Sequence, residues 1–103
     1  MNETEQQEIS RKILEWSGCK QDRKGYWRVP DGTVLGFGHL NLYSKENQWI
    51  LFEYVIPKFA NASLDWQPNS WAVWIADSGL CVNKSLSEAL IEAIIKSIDS
   101  GGV

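Results

Sequence analysis

The chain has 103 residues, 44% hydrophobic and 22% charged, which fits one globular domain spanning residues 1–103 and argues against disorder. No apolar run nears the roughly 18 residues needed to cross a bilayer, so a membrane role is not expected. The net charge is −3, but Lys20, Arg23, Lys24 and Arg28 against Asp22 give +3, leaving −6 on the rest. The body of the chain therefore repels nucleic acid at long range, while one basic stretch could contact phosphate or an acidic partner.

In chain order, the first predicted element is a helix from about Thr4 to Ser17. Ile9, Ile13 and Trp16 recur at helical spacing with Leu14 beside them. Glu3, Glu5 and Glu8 crowd its positive end, and Gly18 suits the left-handed residue that stops a helix. Residues 19–25 read as a polar turn. Tyr26-Trp27-Arg28-Val29 has strand composition and Pro30-Asp31-Gly32 has turn chemistry, after which Thr33-Val34-Leu35 returns as a second strand. Gly36 and Gly38 imply irregular backbone from there to Tyr43.

Lys45 to Phe59 has two readings. Trp49, Phe52, Ile56 and Phe59 form a helical stripe that Ser44 could cap, yet the composition also suits a strand. The spacing favours helix, ended or bent by Pro57. Asn61 to Asn69 lacks periodicity and reads as a loop. Ser70 to Ala76 is a strand apolar on both faces, which predicts a central strand covered on both sides. Asp77-Ser78-Gly79 would turn it into Leu80-Cys81-Val82. Ser85-Leu86-Ser87-Glu88 is a capping box opening an apolar-faced helix that Gly101-Gly102 ends near Ser100.

Candidate chemistry is sparse. His39 is the sole histidine, and Cys19 and Cys81 lie far from it in sequence, without the spacing of a metal site or nucleophilic dyad. An ordinary loop histidine and two free thiols are the simpler reading. The acidic first eight residues differ from a signal peptide, and with two unpaired cysteines they point to the cytoplasm. Gly36-Phe37-Gly38 lacks the third glycine of a dinucleotide loop and the Gly-Lys-Ser/Thr of a phosphate loop. Asp31 and Asp77 sit beside turn glycines, and Glu53 interrupts an apolar run. No catalytic residue, metal or cofactor is expected.

Two features point to binding. Lys20, Arg23, Lys24 and Arg28 interleave with Tyr26 and Trp27, the pattern of a surface that stacks and contacts anions, although a solvated turn leading into a core strand would read the same way. The six tryptophans are the other. Each buries about 150–250 Å², so two or three would dominate a core this small. Trp16 and Trp71 suit the core; Trp27, Trp49, Trp66 and Trp74 cannot all join them. Trp66, in the predicted loop, is either a binding anchor or a lid over the core.

The order of parts carries a resemblance: Trp16-Ser17-Gly18 at the helix end, the Pro30-Asp31-Gly32 turn, the Trp71–Ala76 strand and Ser85-Leu86-Ser87-Glu88-Ala89. Over about residues 8 to 99 the chain resembles the small phage ABA (alpha-beta-alpha) sandwich domain proteins of phage and prophage genomes. It departs from them at Gly36 to Leu40, where such proteins tend to show Leu-Pro. The resemblance implies a sheet between helices and a bacterial host cell, and it assigns no functional residues.

The expected fold is α+β, a small antiparallel sheet sandwiched between helices in the approximate order α-β-β-α-β-β-α. The expected function is that of a non-enzymatic phage or prophage accessory protein binding a protein partner, with inhibition of a host or antiviral-defence protein as one form. Its expected contact residues are Lys20, Arg23, Lys24, Trp27, Arg28 and Trp66. Alternatives are a small-ligand or nucleotide binder with Trp27, Trp66 and Arg28 around a pocket, and a structural phage domain without inhibitor role. A homodimer is left open.

Overall fold

The computed structural model describes residues 2–59, 61–75 and 80–99. α1 (Glu3–Trp16) starts at Asn2, whose side-chain oxygen accepts the Glu5 amide at 2.8 Å. It ends at Gly18, where φ is +90°, and the Cys19 amide donates to the Leu14 carbonyl. Ile13 and Leu14 are buried, while Ile9 and Trp16 are partly buried against the core. Trp16 also stacks on Phe59, with ring centroids 4.9 Å apart.

The polar stretch after α1 is not all turn: Lys20–Gln21 forms a short strand, β1, against β2 (Tyr26–Arg28). β3 (Val34–Phe37) pairs with β2 across a register shift at Trp27/Arg28. The strand therefore continues through Gly36, and irregular backbone begins only at Gly38, where φ is +72°. A Cβ on Gly36 would stand 2.6 Å from Leu40 Cδ2, so glycine lets buried Leu40 reach this sheet.

Residues 45–58 are helical, as the spacing favours, but not as one regular helix. The turns are 3-10 over Lys45–Asn47, α over Gln48–Ile50 (α2), π over Leu51–Val55 and 3-10 over Ile56–Lys58. The expected stripe shifts. Ile50, Leu51, Val55 and Phe59 are buried, whereas Trp49 and Phe52 of the expected stripe are exposed, so the helical segment turns a neighbouring face to the core. Ser44 makes no side-chain cap; its hydroxyl is buried without a partner among the described residues.

The predicted loop 61–69 is instead a strand and a turn. β4 (Ala62–Gln67) pairs in unbroken register with β5 (Ser70–Ile75) through Pro68-Asn69. Proline followed by Asn69 at φ +68° is the sequence of a type II turn. β4 is an edge strand, exposed except at Leu64, and so shows no alternation. β6 (Leu80–Asn83) closes the sheet in the order β4-β5-β6. The predicted turn 77–79, Ala76 and the terminating residues 100–102 lie outside the described residues.

α3 (Leu86–Asp99) covers the Val73, Ile75 and Cys81 face of this sheet with Leu90, Ile91 and Ile94. Each such side chain contributes about 1.5–3 kcal/mol on burial. The capping box is half-formed: the Glu88 amide donates to the Ser85 hydroxyl at 3.4 Å, while the Ser85 amide donates to Asn83 instead of Glu88. The chain is α+β in roughly the expected order, with its strands in two antiparallel three-stranded sheets rather than one. β5 is central, as expected, but among the described residues only its α3 face is fully covered; on the other face Ala72 is buried. Trp74, Leu80 and Val82, on the face away from α3, are about half exposed.

Candidate functional site

Strand alternation sorts the basic stretch into two faces. In β2 the middle residue, Trp27, turns inward and is 3% exposed. Its indole N–H donates to the Gly38 carbonyl at 2.9 Å, and that carbonyl also accepts from the Gln21 side-chain Nε2 at 3.1 Å. Trp27 therefore belongs to the core and presents no stacking surface, contrary to the expectation from sequence.

The flanking residues, Tyr26 and Arg28, point outward. Cross-strand pairing places Lys20 opposite Arg28, Phe37 opposite Tyr26 and Val34 opposite Arg28. Lys20, Tyr26, Arg28, Val34 and Phe37 thus share one exposed face. Phe37 is 63% exposed and meets Tyr26 edge-on at 5.1 Å between centroids. Phe37 also passes over Gly25, where an added Cβ would come 3.0 Å from the ring and φ is +96°.

Charge on this face is partly committed. The Arg28 guanidinium donates to Asp22 at 3.0 Å and to the Gly32 carbonyl at 3.2 Å, so it braces the hairpin. The Tyr26 amide, followed by the Arg28 guanidinium, holds the Asp22 carboxyl below its usual range. Lys20, Arg23 and Lys24 have no ion-pair partner among the described residues. Lys20 shares the outer face with Tyr26 and Phe37, and Arg23 and Lys24 lie in the turn that joins β1 to β2.

Trp66 lies elsewhere. It is 69% exposed, but on edge strand β4 of the second sheet, opposite Trp71. Trp27, Arg28 and Trp66 consequently do not line one pocket: the first two point to opposite faces of one strand and the third sits on another sheet. A different concavity, of about 460 Å³, is lined by Tyr43, Lys45, Gln48, Trp71, Lys84 and Ser85 to Ser87. Pattern reading missed Val34 and Phe37 as surface residues. They lie three residues apart, so period-two alternation does not mark them; the register shift at Trp27/Arg28 brings both to one face.

The remaining candidates differ in exposure. His39 is exposed, whereas Cys19 and Cys81 are buried free thiols, and burial pushes the Cys19 thiol upward in pKa, away from the reactive thiolate. Glu53 is exposed, and Asp31 accepts the Thr33 amide at 2.8 Å as a turn residue. Among the described residues, no group of three His, Cys, Asp or Glu side chains could hold a metal ion, and no helix is long and apolar enough to cross a membrane. Comparison with family models, with curated proteins and with solved structures finds no match for this chain.

Proposed function

We propose that this chain is a non-enzymatic binding protein that engages an acidic protein partner through the outer face of its first sheet. The observation that carries this reading is the convergence of Tyr26, Val34 and Phe37 on a face that also holds Lys20, next to the β1–β2 turn that carries Arg23 and Lys24. An exposed aromatic pair supplies contact area that would become dry on docking, and the free cations steer and select an acidic partner. A protein fits this surface better than nucleic acid. Three uncommitted cations neutralise few phosphates, and the rest of the chain carries negative charge.

The phage or prophage setting, the bacterial cytoplasm and inhibition of a host or antiviral-defence protein are parts of the proposal that rest on sequence resemblance and size. Affinity capture from host lysate tests the reading. Wild type should retain a partner that Phe37→Ser combined with Arg23→Glu and Lys24→Glu loses, while Trp66→Ala keeps it. Equal capture by wild type and the triple variant would refute this surface.

A second reading, a small anionic ligand, is favoured by the concavity between Lys45 and Lys84, walled by Trp71. Dose-dependent thermal stabilisation by nucleotides, lost in Lys45→Ala with Lys84→Ala, would select it instead.

A further inference from the structure

The two sheets leave four outer edges among the described strands, and three carry features that discourage pairing. β1 is two residues long and contains Lys20, β3 faces a register shift and contains Gly36, and β6 is four residues long and followed at once by Lys84. β4 differs. Its six residues, Ala62–Gln67, contain no Lys, Arg, Pro or Gly; its ladder to β5 is unbroken; five of the six are exposed.

We infer that β4 pairs antiparallel with β4 of a second copy of this chain, about a two-fold axis at Leu64, joining the two second sheets into one of six strands. The side chains select this register. With Leu64 opposite itself, Ser63 faces Asp65 of the second copy and Ala62 faces its Trp66. The small alanine leaves room for the indole, and the hydroxyl can donate to the carboxylate. Centring the pair on Asp65 would set two carboxylates directly opposite each other, which is destabilising. Centring it between Leu64 and Asp65 would put an apolar side chain against a carboxylate and flip one copy's helix face to the other side.

Such a contact is isologous, and the strand pair closes as a dimer rather than growing into a filament. With residues 62–66 of each copy paired, the edge is roughly 17 Å long at about 3.4 Å per residue, so the interface lies at the small end of specific contacts. Dissociation on the order of micromolar is expected.

Sedimentation equilibrium of the full chain over a wide concentration range tests this. The wild type should self-associate to a dimer. Ser63→Asp places like charges opposite one another twice per dimer and should weaken association about two- to thirty-fold. Ser63→Lys places opposite charges there and should tighten it by a similar factor. Ser63 is exposed, and a thermal melt of each variant at low concentration checks that the monomer still folds. A chain that stays monomeric at several hundred micromolar overturns the inference. So does a dimer indifferent to both Ser63 substitutions, or one abolished by Val82→Asp but not by Ser63→Asp, which would place the contact on the open face of the sheet.

Discussion

Trp27→Phe separates a core tryptophan from a binding tryptophan. The residue is 3% exposed and packs with Val29, Cys19 and Leu40 in the cluster that joins the first sheet to the rest of the core. Replacing indole by phenyl removes one ring's worth of buried contact and the hydrogen bond to the Gly38 carbonyl. That carbonyl keeps the Gln21 side-chain Nε2, so no acceptor is orphaned and only the net value of one bond, about 1 kcal/mol, is lost. The vacated volume adds a cavity cost, with full truncation to alanine setting an upper bound of about 3–5 kcal/mol. The total is about 2 kcal/mol. For a domain of this size each kcal/mol moves Tm by about 4–8 °C, so a fall of about 8–16 °C is expected in a thermal melt followed by far-UV circular dichroism. Trp66→Ala, on an exposed edge strand, should stay within about 0.5 kcal/mol of wild type. A Trp27→Phe protein melting with the wild type would refute the inward placement of this side chain.

Three further predictions concern packing and titration. Ser10 is fully buried and its hydroxyl accepts the Leu42 amide at 2.9 Å; Ser10→Ala should cost about 1–3 kcal/mol in urea unfolding and speed hydrogen exchange at Leu42. Gly36→Ala should cost about 1–3 kcal/mol because Leu40 must move, and its cost should fall when Leu40→Ala is already present, a coupling that a double-mutant cycle measures. Burial, then Glu88 and Glu92, push Tyr43 up to about 12 from its ordinary value near 10. The folded state then holds this proton where the unfolded state has released it, so this contribution to stability is intact below pH 10 and is lost as pH rises towards 12. Phenolate absorbance should show a late phase near pH 12 that Tyr43→Phe abolishes.

Elements with one dry face were the most legible. α1 and α3 follow the helical period of Ile13, Leu14, Leu90 and Ile94, and β5 is apolar enough to mark a central strand. β4 was hidden because an edge strand with little burial writes no alternation into its residues, although Pro68-Asn69 held the turn. The π turn at Leu51–Val55 also escaped, since the buried Leu51, Val55 and Phe59 keep the four-residue spacing of an ordinary helix and nothing in their sequence marks the wider turn. Within the proposed binding face the cations were readable as a cluster. The sidedness of Tyr26, Trp27 and Arg28 was not, because it depends on which side of β2 receives Leu40 and α1.

The most direct test of the binding face is titration of unlabelled poly-glutamate into the isotope-labelled protein, followed amide by amide. An acidic chain docking on the first sheet should move the signals of Lys20, Tyr26, Arg28, Val34 and Phe37 together, with the response weakened by salt. Shifts centred on Lys45, Trp71 and Lys84, or spread evenly over every lysine and arginine, would contradict the account.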